Sequence, residues 1–260
     1  MIIGSIISIA ALLTVAVALF INQPSFGRTP RGDRLERVKQ SPNYKNGAFQ
    51  NLHETTLMTS DRGRFEGILD FLFRKIEGLK PEQPVKAVKT NLRKIGKDEE
   101  VLVWFGHSSY LIQTGGKRIL VDPVFSMASP VSFVNKAFKG TDIYQPEDMP
   151  DIDYLVISHD HWDHLDYTTV KKLKDRIGTV CPLGVGEHFE YWGFDKERIT
   201  ELDWNEDANL NNGFIVHCLP ARHFSGRELS ANQSLWASFL FETPSRKIYI
   251  GGDGGYDTHF

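Results

Sequence analysis

The residues His159-Asp160-His161-Trp162-Asp163-His164 place three imidazoles and the carboxylate of Asp163 within six positions. Imidazole and carboxylate together suit zinc, and also manganese or iron. His159 and His161, two apart on an extended turn, can aim at one cation. Asp163 and His164 can aim at a second. The apolar run IDYLVIS, residues 152–158, leads directly into the cluster. The ligands therefore stand at the carboxyl end of a strand, where loops on α/β sheets gather ligands.

Two more candidates stand at strand ends. His223 follows FIVHCLPAR and Asp253 follows KIYIGG. Asp253 lies in Gly251-Gly252-Asp253-Gly254-Gly255, where backbone can approach closely and a carboxylate can bridge two cations. Asp122 closes RILVDP and His107 follows VLVWFG. Both are expected behind the ligands, holding the ligating loops by hydrogen bonds. Asp163 is expected to act in catalysis as well as ligation. Two adjacent cations lower the pKa of a shared water, so that hydroxide exists near neutral pH, and they neutralise charge on an oxyanion or phosphoryl group. No Ser or Cys nucleophile is required, and Ser108 and Ser109 lie in no nucleophile elbow.

These positions need strands to carry them. From residue 99 the chain runs in short apolar segments: EVLVWFG, SYLIQT, KRILVDP, IDYLVISH, FIVHCLPA, SLWASFLFE and RKIYIGGD. Each predicts a strand, and Gly115-Gly116 predicts a hairpin turn between the second and third. Helices are expected around 166–176 and 186–192. Hairpins together with helix-separated strands imply a layered α/β architecture with mixed sheets and helices outside. The stretch 125–133, with Phe138 beyond it, follows Asp122 and is apolar without a strand pattern. Phe125 and Phe133 in it are candidate substrate contacts, suited to acyl chains or a membrane interface; packing of these phenylalanines into the core is the alternative.

The first 98 residues read differently. Residues 2–21 carry no charge and are long enough to cross a bilayer as a helix. No basic residue precedes them, whereas Arg28, Arg31, Arg34, Arg37 and Lys39 follow. The positive-inside rule then predicts a single-pass anchor over 1–22, with the bulk of the chain in the cytoplasm. Ala16-Val17-Ala18 also fits a cleavage site, which leaves a signal peptide as the alternative. Residues 23–97 form a basic arm. Its first part, to about residue 60, contains Pro24, Pro30 and Pro42 and reads as irregular. Residues 64–78 place Phe65, Ile68, Leu69, Leu72, Phe73 and Ile76 at helical spacing, before Pro81 and Pro84.

Charge divides the same way. Residues 28–97 hold 16 basic and 8 acidic side chains, and 98–260 hold 14 and 25. A basic segment after a membrane helix suits an anionic lipid surface, with a merely solvated linker as the alternative. No aromatic-basic motif accompanies it, so nucleic acid is not an expected partner. The two cysteines, Cys181 and Cys218, lie far apart in apolar runs. They read as buried thiols, not as a disulfide framework or a Cys-rich zinc site.

The motif at 159–164 is the HxHxDH signature, and through it the sequence resembles the metallo-β-lactamase-fold superfamily. It resembles most the bacterial relatives of the N-acylphosphatidylethanolamine-hydrolysing phospholipase D. The stretches that carry this are WFGHSSYLI (104–112), VDPVFS (121–126), ISHDHWDHLDY (157–167), ELDWNE (201–206), PARHFSGR (220–227), SLWASF (234–239) and GGDGGY (251–256). The resemblance implies a four-layer αββα sandwich over residues 98–260 and a binuclear zinc site. His159, His161 and His223 would hold one metal, Asp163 and His164 the other, with Asp253 bridging. It implies phosphodiester hydrolysis in a membrane phospholipid by a metal-bridging hydroxide, releasing phosphatidate and an N-acylethanolamine. The family pattern supplies a last His ligand well beyond the bridging Asp, and His259 follows Asp253 too closely to be that residue. The hydrolase domain is therefore expected to be C-terminally incomplete. Two rival readings stand beside this one. One is a hydrolase of a soluble substrate, such as a sugar lactone, on the same scaffold. The other is an inactive truncated protein that binds lipid or a partner.

Overall fold

Seven apolar runs predict seven strands, and the computed structural model places a strand in each. It describes residues 2–56, 63–74, 77–131, 134–173, 177–227 and 230–258, with the side chains of 2–4, 64, 65, 68, 71 and 72 outside that description. The helices are α1 (Ile2–Ile21), α2 (Gly32–Gln40), α3 (Arg64–Phe73), α4 (Tyr167–Leu173) and α5 (Gly186–Tyr191). The strands are β1 (Tyr44–Lys45), β2 (Ala48–Phe49), β3 (Val101–Gly106), β4 (Ser109–Thr114), β5 (Lys117–Val121), β6 (Tyr154–Val156), β7 (Gly178–Pro182), β8 (Ile199–Leu202), β9 (Asp207–Asn211), β10 (Phe214–Leu219), β11 (Ser238–Glu242) and β12 (Lys247–Ile250).

A six-stranded sheet runs β3-β4-β5-β6-β7-β8. Its first three strands are antiparallel neighbours, and β5 through β8 pair in parallel. The sheet is mixed, and Gly115-Gly116 turns β4 into β5 as expected. A four-stranded antiparallel sheet, β12-β11-β10-β9, faces it. Between the sheets lie Ile112, Ile119, Val121, Val156 and Val180 from one side and Val216, Cys218, Phe239, Phe241 and Ile250 from the other. A second core joins the opposite face of the six-stranded sheet, through Leu111, Leu120 and Leu155, to Val170 of α4 and Phe189 of α5. Strands buried on both faces lose clean alternation, and β4 is an example. Both cysteines are free and buried, and burial pushes both thiols up.

Sequence and structure part in several places. Strands β7, β8 and β9 are absent from the seven runs. GTVCP is short, while ITEL and DANLN are polar, and tertiary pairing makes them strands. Three of the four expected layers are present among the described residues. The outer face of β10, with Ile215 and His217, is only partly covered there. The arm at 23–60 is not wholly irregular. It holds α2 and the β1–β2 hairpin, and it sends Val38 and Phe49 into the core between the sheets. Lastly, among the described residues no helix is long and apolar enough to cross a membrane. The side chains of α1 are described from Ser5 onward, and a span needs about 20 apolar residues. The transmembrane anchor expected over 1–22 is therefore not supported. The helix expected over 64–78 ends at Phe73, and Ile76 lies outside the described residues, as do Phe133 and His259.

Candidate metal centre

Strand β6 delivers the chain into the loop at 159–164, beside the ends of β5 and β10. Backbone hydrogen bonds from His164 and Leu165 to the His161 carbonyl, at 3.1 and 2.9 Å, close that loop into a tight turn. His159 and His164 are fully buried at its floor, and His161 and Asp163 are partly exposed. The structure brings three groups together, each with ligand atoms within 4.8 Å of one another: His159, His161 and His223; His107, Asp163 and His164; and His159, His164 and Asp253. All six expected ligands thus converge. His107, expected behind the ligands, instead offers a ligand atom among them, 3.2 Å from Asp163 Oδ2. Its φ is +46°, a left-handed conformation that a non-glycine residue holds only when its surroundings require it.

Asp122 ends β5 and also has a positive φ, +40°. Its Oδ1 accepts from the Ser158 backbone N–H at 2.8 Å, and Oδ2 accepts from Ser158 Oγ at 2.6 Å. Oδ2 also lies 2.9 Å from His164 Nδ1. A carboxylate only accepts, so His164 carries a proton on Nδ1, and Nε2 is the nitrogen it turns towards the centre. The Ser158 hydroxyl has given its hydrogen to Asp122, so it accepts from His159 Nδ1 at 3.0 Å and leaves His159 Nε2 bare. One carboxylate therefore sets two imidazoles for ligation.

The residues fit a cation. His164 Nε2 is buried and has no hydrogen-bond partner, although Asp253 Oδ2 lies 3.1 Å away. His159 Nε2, His161 Nδ1 and His223 Nε2 point at one another, at 2.9 and 3.2 Å. Burial lowers the pKa of all three; that of His223 is pushed down to about 4, with His161 adding to the effect. Neutral imidazoles are what a metal takes. Burial also works to lower His164, but Asp122 and Asp253 outweigh it and hold it above the usual imidazole range. His164 in turn holds Asp253 low. For Asp163 burial acts upward, yet His107 and His164 keep the carboxyl below its ordinary value.

Other elements hold the remaining ligands. Asn51, from the arm, donates to the His223 carbonyl and accepts its N–H, at 2.8 and 3.0 Å. Gly252 has φ +56°, and a Cβ there would stand 2.8 Å from that of Ser158. Glycine therefore lets the Asp253 turn close over the Ser158 loop. Phe125 packs against Phe105 in the helix-side core, with ring centroids 5.3 Å apart. This is the core packing given above as the alternative for it. Sequence reading missed Asn51, Ser158, Asp160, Trp162, His188 and Arg227, none of which is a first ligand by type and spacing. Asp166 was missed too, although its signal was legible: an Asp two and three residues ahead of Thr168 and Thr169 caps α4, and it also accepts from Ser126.

Sandwich and cluster together define a metal-dependent hydrolase scaffold of the metallo-β-lactamase type. The Beta-lactamase superfamily domain matches residues 117–259, over half of the chain, and the protein belongs to that superfamily. An uncharacterized protein of Mycobacterium tuberculosis is 41% identical over 225 residues, covering 85% of this chain and 60% of its own length. The N-acyl-phosphatidylethanolamine-hydrolyzing phospholipase D 1 of Caenorhabditis elegans is 36% identical over 168 residues, covering 59% of this chain and 46% of that enzyme. The chain thus spans less than two thirds of the length of these relatives. Among solved structures, the metallo hydrolase Igni18 of Ignicoccus hospitalis matches with a TM-score of 0.44 and 18% identity, over 60% of this chain and 62% of that one.

Proposed function

We propose that this protein is a zinc-dependent phosphodiesterase of the phospholipase D type, acting on N-acylphosphatidylethanolamine-like phospholipids. The observation that carries the reading is the convergence of His159, His161, His223, Asp163, His164 and Asp253, with His107, at one mouth. His159, His161 and His223 would hold one cation and Asp163 and His164 the other, with Asp253 placed to reach both. When bound, such ions activate water near neutral pH and neutralise phosphoryl charge. The chain's own part is orientation. Asp122 and Ser158 fix the imidazoles, and the Gly252 turn fixes Asp253.

The substrate class rests on the nematode relative's name and on the surface around the ligands. Phe224 is 36% exposed, and its ring lies 4.6 Å from that of His161. Trp104 is 60% exposed and donates to the His107 carbonyl. Partly exposed aromatics at the mouth offer apolar surface on which acyl chains can lie. We place the protein at a lipid surface through α1, where Ile6, Leu12 and Leu19 are 60, 70 and 69% exposed. The test is turnover of N-acylphosphatidylethanolamine by metal-loaded protein, with release of phosphatidate measured. Hydrolysis of a sugar lactone with no phosphatidate released would move the assignment to a soluble substrate. Two metals bound with no turnover of either would leave a binding protein.

A further inference from the structure

The non-ligand residues of the metal loop, Asp160 and Trp162, point away from the ligands. Asp160 is buried and takes three hydrogen bonds: Gly226 N–H to Oδ1 at 2.8 Å, Ser234 Oγ to Oδ2 at 2.7 Å, and His188 Nε2 at 3.2 Å. His188 is itself fixed, because its Nδ1 accepts from the Arg28 backbone N–H at 3.0 Å. Its proton therefore sits on Nε2, facing Asp160. Trp162 is gripped from two sides. Phe26 meets its ring edge-on at 5.0 Å, and the Arg227 guanidinium lies over it at 4.1 Å. Arg227 is buried and donates to the carbonyls of Asp160 and Leu165, at 3.0 and 2.6 Å, and of Ser25 at 2.8 Å. Trp192 Nε1 donates to the Pro24 carbonyl at 2.7 Å.

His188, Trp162, Arg227 and Trp192 all lead to residues 24–28, about 130 positions upstream of the metal loop and outside the matched superfamily region. Gly27 sits at the tightest point. Its φ is +77°, and a Cβ there would stand 2.1 Å from His188 Nδ1. Only glycine lets the segment lie this close. We propose that residues 24–28, with His188, Asp160 and Arg227, are a brace that positions the metal loop from behind. The loop alternates, with His159, His161 and Asp163 facing the metals and Asp160 and Trp162 facing the brace. A shift of the brace is therefore a shift of the ligands. These are positioning residues, and the inference rests on the metal-centre reading.

The experiment measures zinc affinity by competition with a chromophoric chelator, and the visible absorption of the cobalt-loaded protein, on the full chain. Gly27→Val should weaken zinc binding on the order of ten- to a hundredfold, the range for residues that orient ligands, and should alter the cobalt spectrum. His188→Leu should do the same. His188→Gln, which keeps a donor towards Asp160, should recover most of the affinity. Arg37→Ala, on α2 but outside the brace, should leave affinity and spectrum as they are. A brace that serves folding alone would lower the melting temperature of Gly27→Val and His188→Leu while zinc affinity and cobalt spectrum stayed at wild-type values, and that result overturns the proposal. If Gly27→Val does not fold, the His188 pair decides: leucine and glutamine binding zinc equally well would overturn it. Failure of the wild-type chain to bind zinc or cobalt would instead remove the metal centre itself.

Discussion

At Asp122 a single carboxylate receives Ser158 N–H, Ser158 Oγ and His164 Nδ1. Replacing it with asparagine keeps the shape and puts an NH2 where two donors arrive. If that NH2 faces His164, the imidazole proton must move to Nε2, and the ligand lone pair is lost. Asp122→Asn should therefore weaken zinc binding about ten- to a hundredfold by chelator competition, and wild-type affinity would show that the tautomer is set elsewhere. His161→Ala should lower metal content and abolish hydrolysis with the sheets intact by circular dichroism; full zinc and full activity would sink the ligand assignment. His107 is a separate case. It sits with Asp163 and His164, not with the His159 group. His107→Ala should loosen one metal and spare the other, so elemental analysis after dialysis should fall towards one metal per chain. Loss of both metals would tie His107 to the whole centre.

Helix α2 is short, and its mean composition is polar, yet it is firmly attached. Arg34 donates to Glu187, Glu190 and Glu201, at 2.7, 2.9 and 2.8 Å. Arg28 pairs with Glu187, and Arg37 with Glu206. Three of the basic residues in the segment expected to meet anionic lipid, Arg28, Arg34 and Arg37, are thus turned onto acidic side chains of the domain. Arg34 and its partners Glu187 and Glu201 are largely buried, so removal of the cation leaves carboxylates with too few partners. Arg34→Met should cost about 3–5 kcal/mol in urea unfolding. A loss within about 1 kcal/mol, the range for exposed pairs, would mean that water reaches the cluster. The same element carries Val38 into the core between the sheets, which is why the arm packs as part of the domain's interior.

For the whole molecule, the proposed lipid reading can be tested through the contact of α1 with the metal loop. Phe20 of α1 packs on Phe26, with ring centroids 5.3 Å apart, and Phe26 packs on Trp162 in the metal loop. An apolar helix and a metal centre are thus linked through two aromatic contacts. Removal of residues 1–19 should leave turnover of detergent-dispersed phospholipid in place while vesicle co-sedimentation falls. Unchanged sedimentation would show that α1 does not meet lipid. At the mouth, Phe224→Asp should reduce turnover of a long-chain lipid more than that of a small water-soluble phosphodiester. Equal losses with folding intact would favour a soluble substrate.

Local chemistry made the metal loop legible from the sequence alone: few loops need three imidazoles and a carboxylate at that spacing, and apolar runs ending in His or Asp mark strand ends. His223 and Asp253 were readable for the same reason, as was the Gly115-Gly116 hairpin. The mixed sheets followed from the order of hairpins and helices. Strands β7 to β9 were not legible, because a strand held by its neighbours needs no strong propensity of its own. Nor was the arm, because Arg34 and Val38 look like any polar linker until Glu187, Glu201 and the core stand beside them. Of the residues behind the ligands, Asp122 was readable as the close of RILVDP; the others were decided only by the tertiary structure. Asp160, Trp162, His188, Arg227 and Gly27 are scattered over 200 positions. Hydrogen bonds and ring contacts between distant segments depend on where the chain folds back, and no local pattern encodes that distance.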